Sequence, residues 1–403
     1  MLISFEEALA TLREELSAAR HAPTFELVPL AAASGRFLAE DVRADRDYPP
    51  FHRSIRDGYA VRSSETRAAV VHLVRRGEVR AGEYLPGEVG PGECVEIMTG
   101  APVPAGADAV VMIEHVRVDG SRVEVARPVG PWENVVLQGS EARAGSVVLR
   151  QGRRVGAGEL GLLASVGHTL VRVARQPEVA ILPTGDEVVS LDQKPEWFQI
   201  RNSNAQTLAA LVATAGGRPR LMPITPDEKE SLRRRVQEGL ESDLLLLSGG
   251  VSMGKYDFVD KVLAELGARF AFQRVAIRPG KPVLFGRVGE KFFFGLPGNP
   301  VSTYVTFELF VRPAIAMLSG GEFGSPVFLR ARLGRAFQQK HGLTAFMPAR
   351  VEMRDGDPVV ELVGWQGSGD LVGAAAANCF LVVHPGQMEL AAGHWVDVLP
   401  KSA

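Results

Sequence analysis

Cysteine is nearly absent from this chain of 403 residues, in which only Cys94 and Cys379 occur. Two cysteines so far apart exclude a disulfide framework and a cysteine-rich zinc site. They are typical of a reducing compartment, so we expect a cytoplasmic protein. The eight histidines show no H-x-x-x-H or similar spacing, so the sequence predicts no histidine metal site.

The sequence also lacks an excess of charge and a long apolar run. The 45 basic and 47 acidic residues give a net charge of −2, so we expect neither nucleic acid nor an anionic membrane as the principal partner. No apolar run approaches the ~18 residues of a membrane span. Glu6 and Glu7 stand where a signal peptide would carry Lys or Arg. We therefore expect neither export nor a membrane-spanning segment.

The composition is otherwise that of a globular protein, with 46% hydrophobic and 23% charged residues. At about 150 residues per domain, the length predicts two to four domains. The 43 glycines and 26 prolines exceed the usual share and indicate many tight turns. We therefore expect binding sites that are built from loops.

Three patterns follow one another along the chain. Ser4 and Glu7 have capping-box spacing ahead of an amphipathic helix, and short valine-rich strands then fill a β-rich unit at about residues 46–144. From about 178 to 321, apolar strands alternate with helices, which predicts a doubly wound, mostly parallel α/β sheet. Short β segments return after residue 321, so a small β domain closes the chain.

Two helix starts are predicted inside the α/β region. Ser203 and Gln206 have cap spacing ahead of a helix that extends to about Ala215. Pro226 fits position N1 of the next helix and thereby places Asp227 at N2, where a carboxylate is favourable next to the helix dipole.

Glycine-rich loops follow the predicted α/β strands. In an open α/β sheet, ligands bind beyond the carboxyl ends of the strands, where backbone N–H groups attract anions. The loops are Thr184–Glu187, Ser248–Gly254, Arg278–Lys281 and Gly295–Ser302. Each one alone could be only a tight turn, but four on one edge predict a cradle for oxyanions. Asn299 and Pro300 fit the N-cap and N1 of the following helix.

The same edge carries both signs of charge. Its carboxylates would repel a phosphate unless a hard cation lay between them, so we expect Mg²⁺ held by oxygen ligands. The carboxylates are Asp186, Glu187, Asp227 and Asp257. Asp186 could instead close an Asx turn, and the role of Asp257 could be merely to begin a helix. Glu187 has no evident structural role. Compensating positive charge comes from Arg274, Arg278 and Lys281, each of which could equally be a solvated surface residue.

A serine hydrolase is a rival prediction. Gly250–Gly254 satisfies G-x-S-x-G after an apolar strand and makes Ser252 a candidate nucleophile. Candidate bases downstream are His341, His384 and His394. Against this prediction, the turn is long for a nucleophile elbow, and these histidines lie in what is predicted to be a separate β domain.

Motifs along nearly the whole chain resemble those of the MoeA family of molybdopterin molybdenumtransferases, which is related to the E domain of gephyrin. The motifs are Ser54–Val61, Ile97–Pro102 with Pro104–Val111, Pro183–Glu187, Asn202–Asn204, Ser248–Gly254, Pro279–Pro282, Gly295–Ser302, Ser368–Gly369 and Ala377–Asn378. No single motif is decisive, but their order along the chain makes the resemblance strong.

The resemblance implies a subunit of four parts. They are a small discontinuous unit (1–45 with 145–176), an inserted β-rich unit (46–144), the α/β molybdopterin-binding domain (177–325) and a C-terminal β-barrel-like domain (326–403). It also implies an elongated homodimer with its cleft between subunits, and the molybdopterin adenylyltransferase as a candidate partner. The implied reaction cleaves adenylylated molybdopterin and inserts molybdate into the dithiolene, releasing AMP with the help of Mg²⁺.

The resemblance further implies roles for individual residues. Those expected to serve catalysis, the nucleotide or the metal are Asp57, Thr99, Glu187, Asp227, Asp257 and Lys281. Those expected to bind substrate are Gly185, Ser248, Gly249, Gly250, Ser252, Arg274, Arg278, Pro297, Gly298, Asn299, Pro300, Ser302, Arg350 and Ser368.

The chain departs from the family pattern at two places. Gly139-Ser140-Glu141 stands where relatives usually have G-E-D, so the acidic role would fall to Glu141. Arg274 and Arg278 replace lysines that are common in the family. Arginine keeps the charge but changes reach and geometry, and it cannot act as a proton donor. A pterin-binding scaffold without turnover remains a third class, and the sequence does not separate molybdate from tungstate.

Overall fold

The computed structural model describes residues 2–19, 24–68, 70–250, 258–339 and 342–401. Ser252 and Asp257, together with His341, lie outside the described residues.

The first helix, Phe5–Ala18, has the capping box that its sequence predicts: the Glu7 N–H donates to Ser4 Oγ at 3.1 Å, and the Ser4 N–H donates to Glu7 Oε2 at 2.7 Å. Its buried side chains join the core of the α/β domain. Phe5 makes edge-to-face ring contacts with Phe310 and Phe346. The packing of this helix therefore ties the start of the chain to the α/β domain.

A small unit is built from two segments that are distant in sequence. Its helix is Ala157–Ser165, and its antiparallel strand pairs are Phe25–Pro29 with Leu170–Ala174 and Val42–Arg43 with Val147–Leu149. Val28, Leu38 and Leu163 share one apolar cluster. The chain between these segments forms another unit.

That inserted unit is a six-stranded sheet. In spatial order its strands are Ala109–Met112, Gly58–Val61, Glu93–Ile97, Val71–Val79, Arg122–Val125 and Val116–Asp119, and a separate pair joins Arg53–Ser54 to Val135–Val136. Alternate residues of a strand point to opposite faces, so Tyr59 and Ala60 fall in different apolar clusters.

The α/β domain contains the expected doubly wound, mostly parallel sheet, which the structure confirms. In spatial order its strands are Arg218–Leu221, Glu178–Pro183, Leu244–Ser248, Lys291–Leu296, Pro282–Val288 and Arg269–Arg274. The first four are parallel, and Pro282–Val288 runs antiparallel to both of its neighbours. A separate parallel pair joins Val188–Val189 to Ile200–Arg201.

Both faces of this sheet are covered. Leu244 and Leu246 pack in one cluster while Leu245 and Leu247 pack in the other, which explains four successive leucines. The covering helices are Ser203–Ala215, Lys229–Gly239, Val259–Glu265, Pro300–Thr306 and Arg312–Leu318, with a π-helical segment, Phe307–Val311, between the last two.

Two predicted helix starts are wrong in detail. The N-cap of Ser203–Ala215 is Asn202, whose side chain accepts from the Ala205 N–H. The next helix begins at Lys229 rather than at Pro226, so Asp227 precedes it and is not at N2. The helix dipole therefore does not explain Asp227.

Among the described residues, one helical run, Pro300–Leu318, is long and apolar enough to cross a membrane by length and composition only. Its 19 residues are apolar enough by composition, with Glu308 and Arg312 as the charged interruptions. However, 78% of its apolar window is buried inside the protein, as in a core helix.

The C-terminal domain is a closed β-barrel. Its strands, in order around the barrel, are Thr344–Arg354, Asp357–Leu362, Leu329–Leu333, Trp395–Pro400 and Cys379–Val383, and the last pairs again with the first. A short pair, Phe337–Gln338 with Glu389–Leu390, and the helix Leu371–Ala376 complete the domain. Ile277–Arg278 of the α/β domain adds to the barrel in parallel with Thr344–Ala345. This pairing places the barrel next to the ligand edge of the α/β sheet.

Candidate functional site

Two adjoining cavities lie at the ligand edge of the α/β sheet. The rim cavity, about 780 Å³, is lined by the loops that follow Pro183, Ser248 and Leu296. The barrel cavity, about 730 Å³, lies between the Arg278–Lys281 loop and the C-terminal barrel. Because Pro282, Pro297 and Asn299 line both, one elongated ligand can contact the two cavities.

Three of the four predicted glycine loops come together in the rim cavity, and the fourth, Arg278–Lys281, lines the adjoining barrel cavity. Gly185, Gly249 and Gly250 have positive φ, at +134°, +101° and +64°. A Cβ at Gly249 would lie 2.7 Å from the Thr184 backbone oxygen. Only glycine allows this close packing of the turn on Thr184 at the sheet edge.

Thr184 carries a buried hydroxyl under the same turn. The residue is 4% exposed, and its Oγ1 has no hydrogen-bond partner among the described residues. A Cβ at Gly250 would approach this oxygen to 3.1 Å. An unpaired buried hydroxyl costs about 1–3 kcal/mol, which points to a functional constraint at this position.

Two carboxylates of the expected metal set line the rim cavity, namely Glu187 and Asp227. The Glu187 carboxylate has no hydrogen-bond or ion-pair partner in the described part of the chain. Asp186 does not close its own turn, since its Oδ1 accepts the Asp227 N–H at 3.0 Å and so ties two loops together. Within the described ranges, no group of three or more His, Cys, Asp or Glu residues could hold a metal ion.

Unpaired positive charge lies in the barrel cavity. Arg278 and Lys281 line it, and neither side chain has a hydrogen-bond or ion-pair partner among the residues the structure describes. Ser302 and Ser368 add hydroxyls, and Trp365 adds an aromatic wall. Cations, hydroxyls and a flat apolar surface in one cavity suit an anionic ligand that carries a planar ring.

The turn between Arg278 and Pro282 is closed by Gly280. Its φ is +103°, and a Cβ there would lie 2.6 Å from Thr306 Cγ2. The turn therefore packs directly on the helix Pro300–Thr306, while barrel pairing fixes Arg278 from the other side.

Asn299 occupies the predicted N-cap position, but its side chain does not cap the helix. Its Nδ2 donates to Ser368 Oγ at 3.0 Å, and the Val301 N–H donates to the Ser368 backbone oxygen at 2.9 Å. The Ser368 loop of the C-terminal domain is thereby attached to the α/β edge where the two cavities meet.

Arg274 and Arg350 lie outside both cavities. Arg274 ends an α/β strand, and the exposed Arg350 donates to Glu352 at 2.7 Å. Their expected contacts with substrate stay predictions.

Asp57 and Thr99 lie together in the inserted unit. Asp57 Oδ1 accepts from the Thr99 N–H at 2.7 Å and from its hydroxyl at 2.8 Å, which holds the pKa of Asp57 below its ordinary value. Glu141, also in this unit, is exposed and 3.5 Å from Arg53. None of the described residues of 46–144 lines either cavity.

Among the cavity residues to which the sequence analysis gave no role are Asn204 and Trp365. Asn204 belongs to one of the motifs that resemble the MoeA family. One feature of the sequence could have indicated a separate role for it: the helix start contains two asparagines, although one is enough to cap the helix. Trp365 gave no signal, since its place on the cavity wall depends on how the barrel closes.

The fold and site define a multidomain α/β protein with two adjoining cavities at the edge of its sheet. The family description "MoeA N-terminal region (domain I and II)" matches residues 3–167, "Probable molybdopterin binding domain" matches 180–317, and "MoeA C-terminal region (domain IV)" matches 330–401. The chain is 33% identical over 377 residues to the molybdopterin molybdenumtransferase of Staphylococcus epidermidis and 34% identical over 377 residues to that of Staphylococcus aureus, covering 92% of this chain and 90% of each relative.

A solved structure agrees with these matches. The molybdopterin biosynthesis MoeA protein of Pyrococcus horikoshii is 31% identical, with a TM-score of 0.82 over 99% of this chain and 100% of that one. The chain belongs to the MoeA family of molybdopterin molybdenumtransferases and is a transferase of molybdenum cofactor biosynthesis. These matches do not favour the serine hydrolase prediction.

Proposed function

We propose that this protein cleaves adenylylated molybdopterin and inserts molybdate into the dithiolene, releasing AMP. The observation that carries the proposal is a pair of cations, Arg278 and Lys281, that have no side-chain partner among the described residues and lie in a cavity next to the glycine-lined rim. Molybdate is a tetrahedral dianion and needs the same fixed donors and cationic charges as phosphate.

The two cavities suit the two ends of this substrate. The rim cavity, which Gly185, Gly249 and Gly250 line, receives the nucleotide and its pyrophosphate. The barrel cavity receives the pterin end and molybdate, with Arg278 and Lys281 providing the positive charge.

The donor set at the rim also fits Mg²⁺. This ion prefers oxygen ligands, keeps several waters and commonly binds through one or two carboxylates together with substrate phosphates. Glu187 and Asp227 would supply those carboxylates, and Asp257 remains a prediction. Bound there, Mg²⁺ would neutralise charge on the pyrophosphate.

The proposed reaction balances without a redox partner. Water cleaves the P–O–P linkage and gives AMP and the molybdopterin phosphate. Two dithiolene sulfurs then replace one oxide of molybdate, and their two protons leave with that oxide as water. Arg278 and Lys281 hold the anions in place, and neither has to transfer a proton.

We further propose a homodimer in which the inserted unit of one subunit completes the cleft of the other. The support is that Asp57 and Thr99 form a fixed pair in the inserted unit, although described residues of that unit line neither cavity.

The direct test measures AMP release from adenylylated molybdopterin and Mg²⁺, with and without molybdate. We expect molybdate-dependent AMP, and its absence would leave only a pterin-binding scaffold. Glu187→Gln should lower turnover far more than pterin binding. Glu196→Gln, an exposed carboxylate nearby that lines neither cavity, is the matched control and should behave as wild type.

Mixing Asp57→Asn with Glu187→Gln subunits tests the shared cleft. If each site takes these residues from different subunits, every mixed dimer has one intact site, and about a quarter of wild-type turnover should return. If both residues serve the same site from one chain, no turnover returns and the shared cleft is refuted.

The location and partners are proposed on narrower grounds. Cys94 and Cys379 are free and buried, which suits a reducing cytoplasm. The proposed protein partner is the molybdopterin adenylyltransferase, because it supplies the adenylylated substrate. Measuring AMP release with tungstate in place of molybdate tests which oxyanion the protein prefers.

A further inference from the structure

Asn204 bridges two of the turns that form the rim cavity. It lies in the first turn of the helix Ser203–Ala215, and its Nδ2 donates to the Gly298 backbone oxygen at 2.7 Å and to Ser248 Oγ at 3.1 Å. A backbone carbonyl can only accept a hydrogen bond, so the contact with Gly298 fixes the NH₂ group towards the two turns. Both amide protons are therefore used.

These contacts constrain the Ser248 hydroxyl. Its oxygen accepts from Asn204, so its own proton must be donated elsewhere. Among the residues the structure describes, Ser248 Oγ donates no hydrogen bond, and Ser248 lines the rim cavity. A phosphate oxygen is an acceptor of the kind that this hydroxyl lacks.

Asn204 also holds neighbouring turns together. Ser248 and Leu296 end adjacent parallel strands, and a Cβ at Gly298 would lie 3.6 Å from the Gly249 Cα. The helix does not need Asn204 as a cap, because Asn202 already accepts the Ala205 N–H at 3.1 Å. The role of Asn204 at the turns is therefore separable from helix stability.

We propose that Asn204 is a positioning residue that directs the Ser248 hydroxyl proton to a phosphate oxygen of the adenylylated substrate. It also fixes the spacing between the Ser248–Gly250 and Pro297–Gly298 turns. This inference rests on the proposed function, and it adds a specific hydrogen-bond donor to the proposed nucleotide end of the site.

The test uses the full chain with AMP and Mg²⁺ as the binding probe. The variants are Asn204→Ala, Ser248→Ala, the double variant, and Gln206→Ala as the control on an exposed position of the same helix. Each single variant should weaken AMP binding about tenfold, the effect of losing one hydrogen bond. The double variant should bind about as weakly as either single variant, because the two residues act through one donor.

Two further measurements separate positioning from a structural role. Asn204→Asp should bind AMP more weakly than Asn204→Ala, since it removes both donors and adds a negative charge next to an anion. In turnover measurements, Asn204→Ala should raise KM with little change in kcat. In thermal unfolding, Asn202→Ala should lower the midpoint because the helix loses its cap.

Each failure has its own meaning. If Asn204→Ala binds AMP as Gln206→Ala does, or if its effect adds to that of Ser248→Ala, the positioning role is overturned. If wild-type protein binds AMP but shows no molybdate-dependent AMP release, the proposed function fails while the positioning role is still judged by binding.

Discussion

Gly249→Ala tests how the rim cavity is built. Gly249 has φ of +101°, and an added Cβ would lie 2.7 Å from the Thr184 backbone oxygen and 3.0 Å from Thr184 Oγ1. The nearer atom belongs to the backbone, so rotation of a flexible side chain cannot relieve the contact. The turn itself has to move away from Thr184.

Gly267→Ala provides the matched control. Gly267 has φ of +84°, but nothing lies within 4 Å of an added Cβ. Left-handed strain of about 1–2 kcal/mol and the reduced entropy of the unfolded chain apply at both positions. Overpacking, about 1–3 kcal/mol, applies only at Gly249. Gly249→Ala should therefore lower the free energy of unfolding by about 1–3 kcal/mol more than Gly267→Ala.

Thermal unfolding and AMP affinity measure this difference. One kcal/mol corresponds to about 2–4 °C in a domain of roughly 150 residues, so Gly249→Ala should have the clearly lower midpoint. It should also weaken AMP binding, which the control should not. Equal midpoints and equal affinities would refute the close packing of the turn on Thr184.

Three further predictions concern other contacts. Arg312→Met should lower the free energy of unfolding by about 3 kcal/mol in denaturant titrations, because Glu308, only 3% exposed, loses its 2.6 Å ion pair. Thr99→Val should raise the pKa of Asp57 towards its ordinary value of about 3.9, as seen by NMR titration, since one of two donors is lost. The stabilisation from Asp57 is present above that ordinary value and is lost as pH falls through the lower folded pKa. Asn202→Ala should cost about 1 kcal/mol in thermal unfolding.

Local features of the fold could be predicted because they depend on near neighbours. The Ser4–Glu7 capping box and the buried leucine strand were predicted correctly from periodicity and cap chemistry. The exact starts of two helices were not predicted correctly. Asn202 displaced Ser203 as the cap, and the helix expected at Pro226 begins at Lys229.

The candidate site was predictable to a similar extent. Glycine turns after parallel strands must meet at one edge, so Gly249 and Gly298 were correctly expected to be neighbours. The sequence did not show which basic residues line a cavity and which lie on the surface, because their positions depend on strand direction and on how the barrel packs against the α/β domain. Arg278 lines a cavity, whereas Arg350 pairs with Glu352 on the barrel surface.

The sequence alone determined the order of the β-rich, α/β and β regions, the glycine turns and the family. Each of these features depends on short stretches of adjacent residues. Tertiary structure decided that Ile277–Arg278 joins the C-terminal barrel and that Asn204 connects two turns. These contacts join residues that are dozens of positions apart in the sequence. Their geometry depends on strand register and packing, which no single segment of the chain determines.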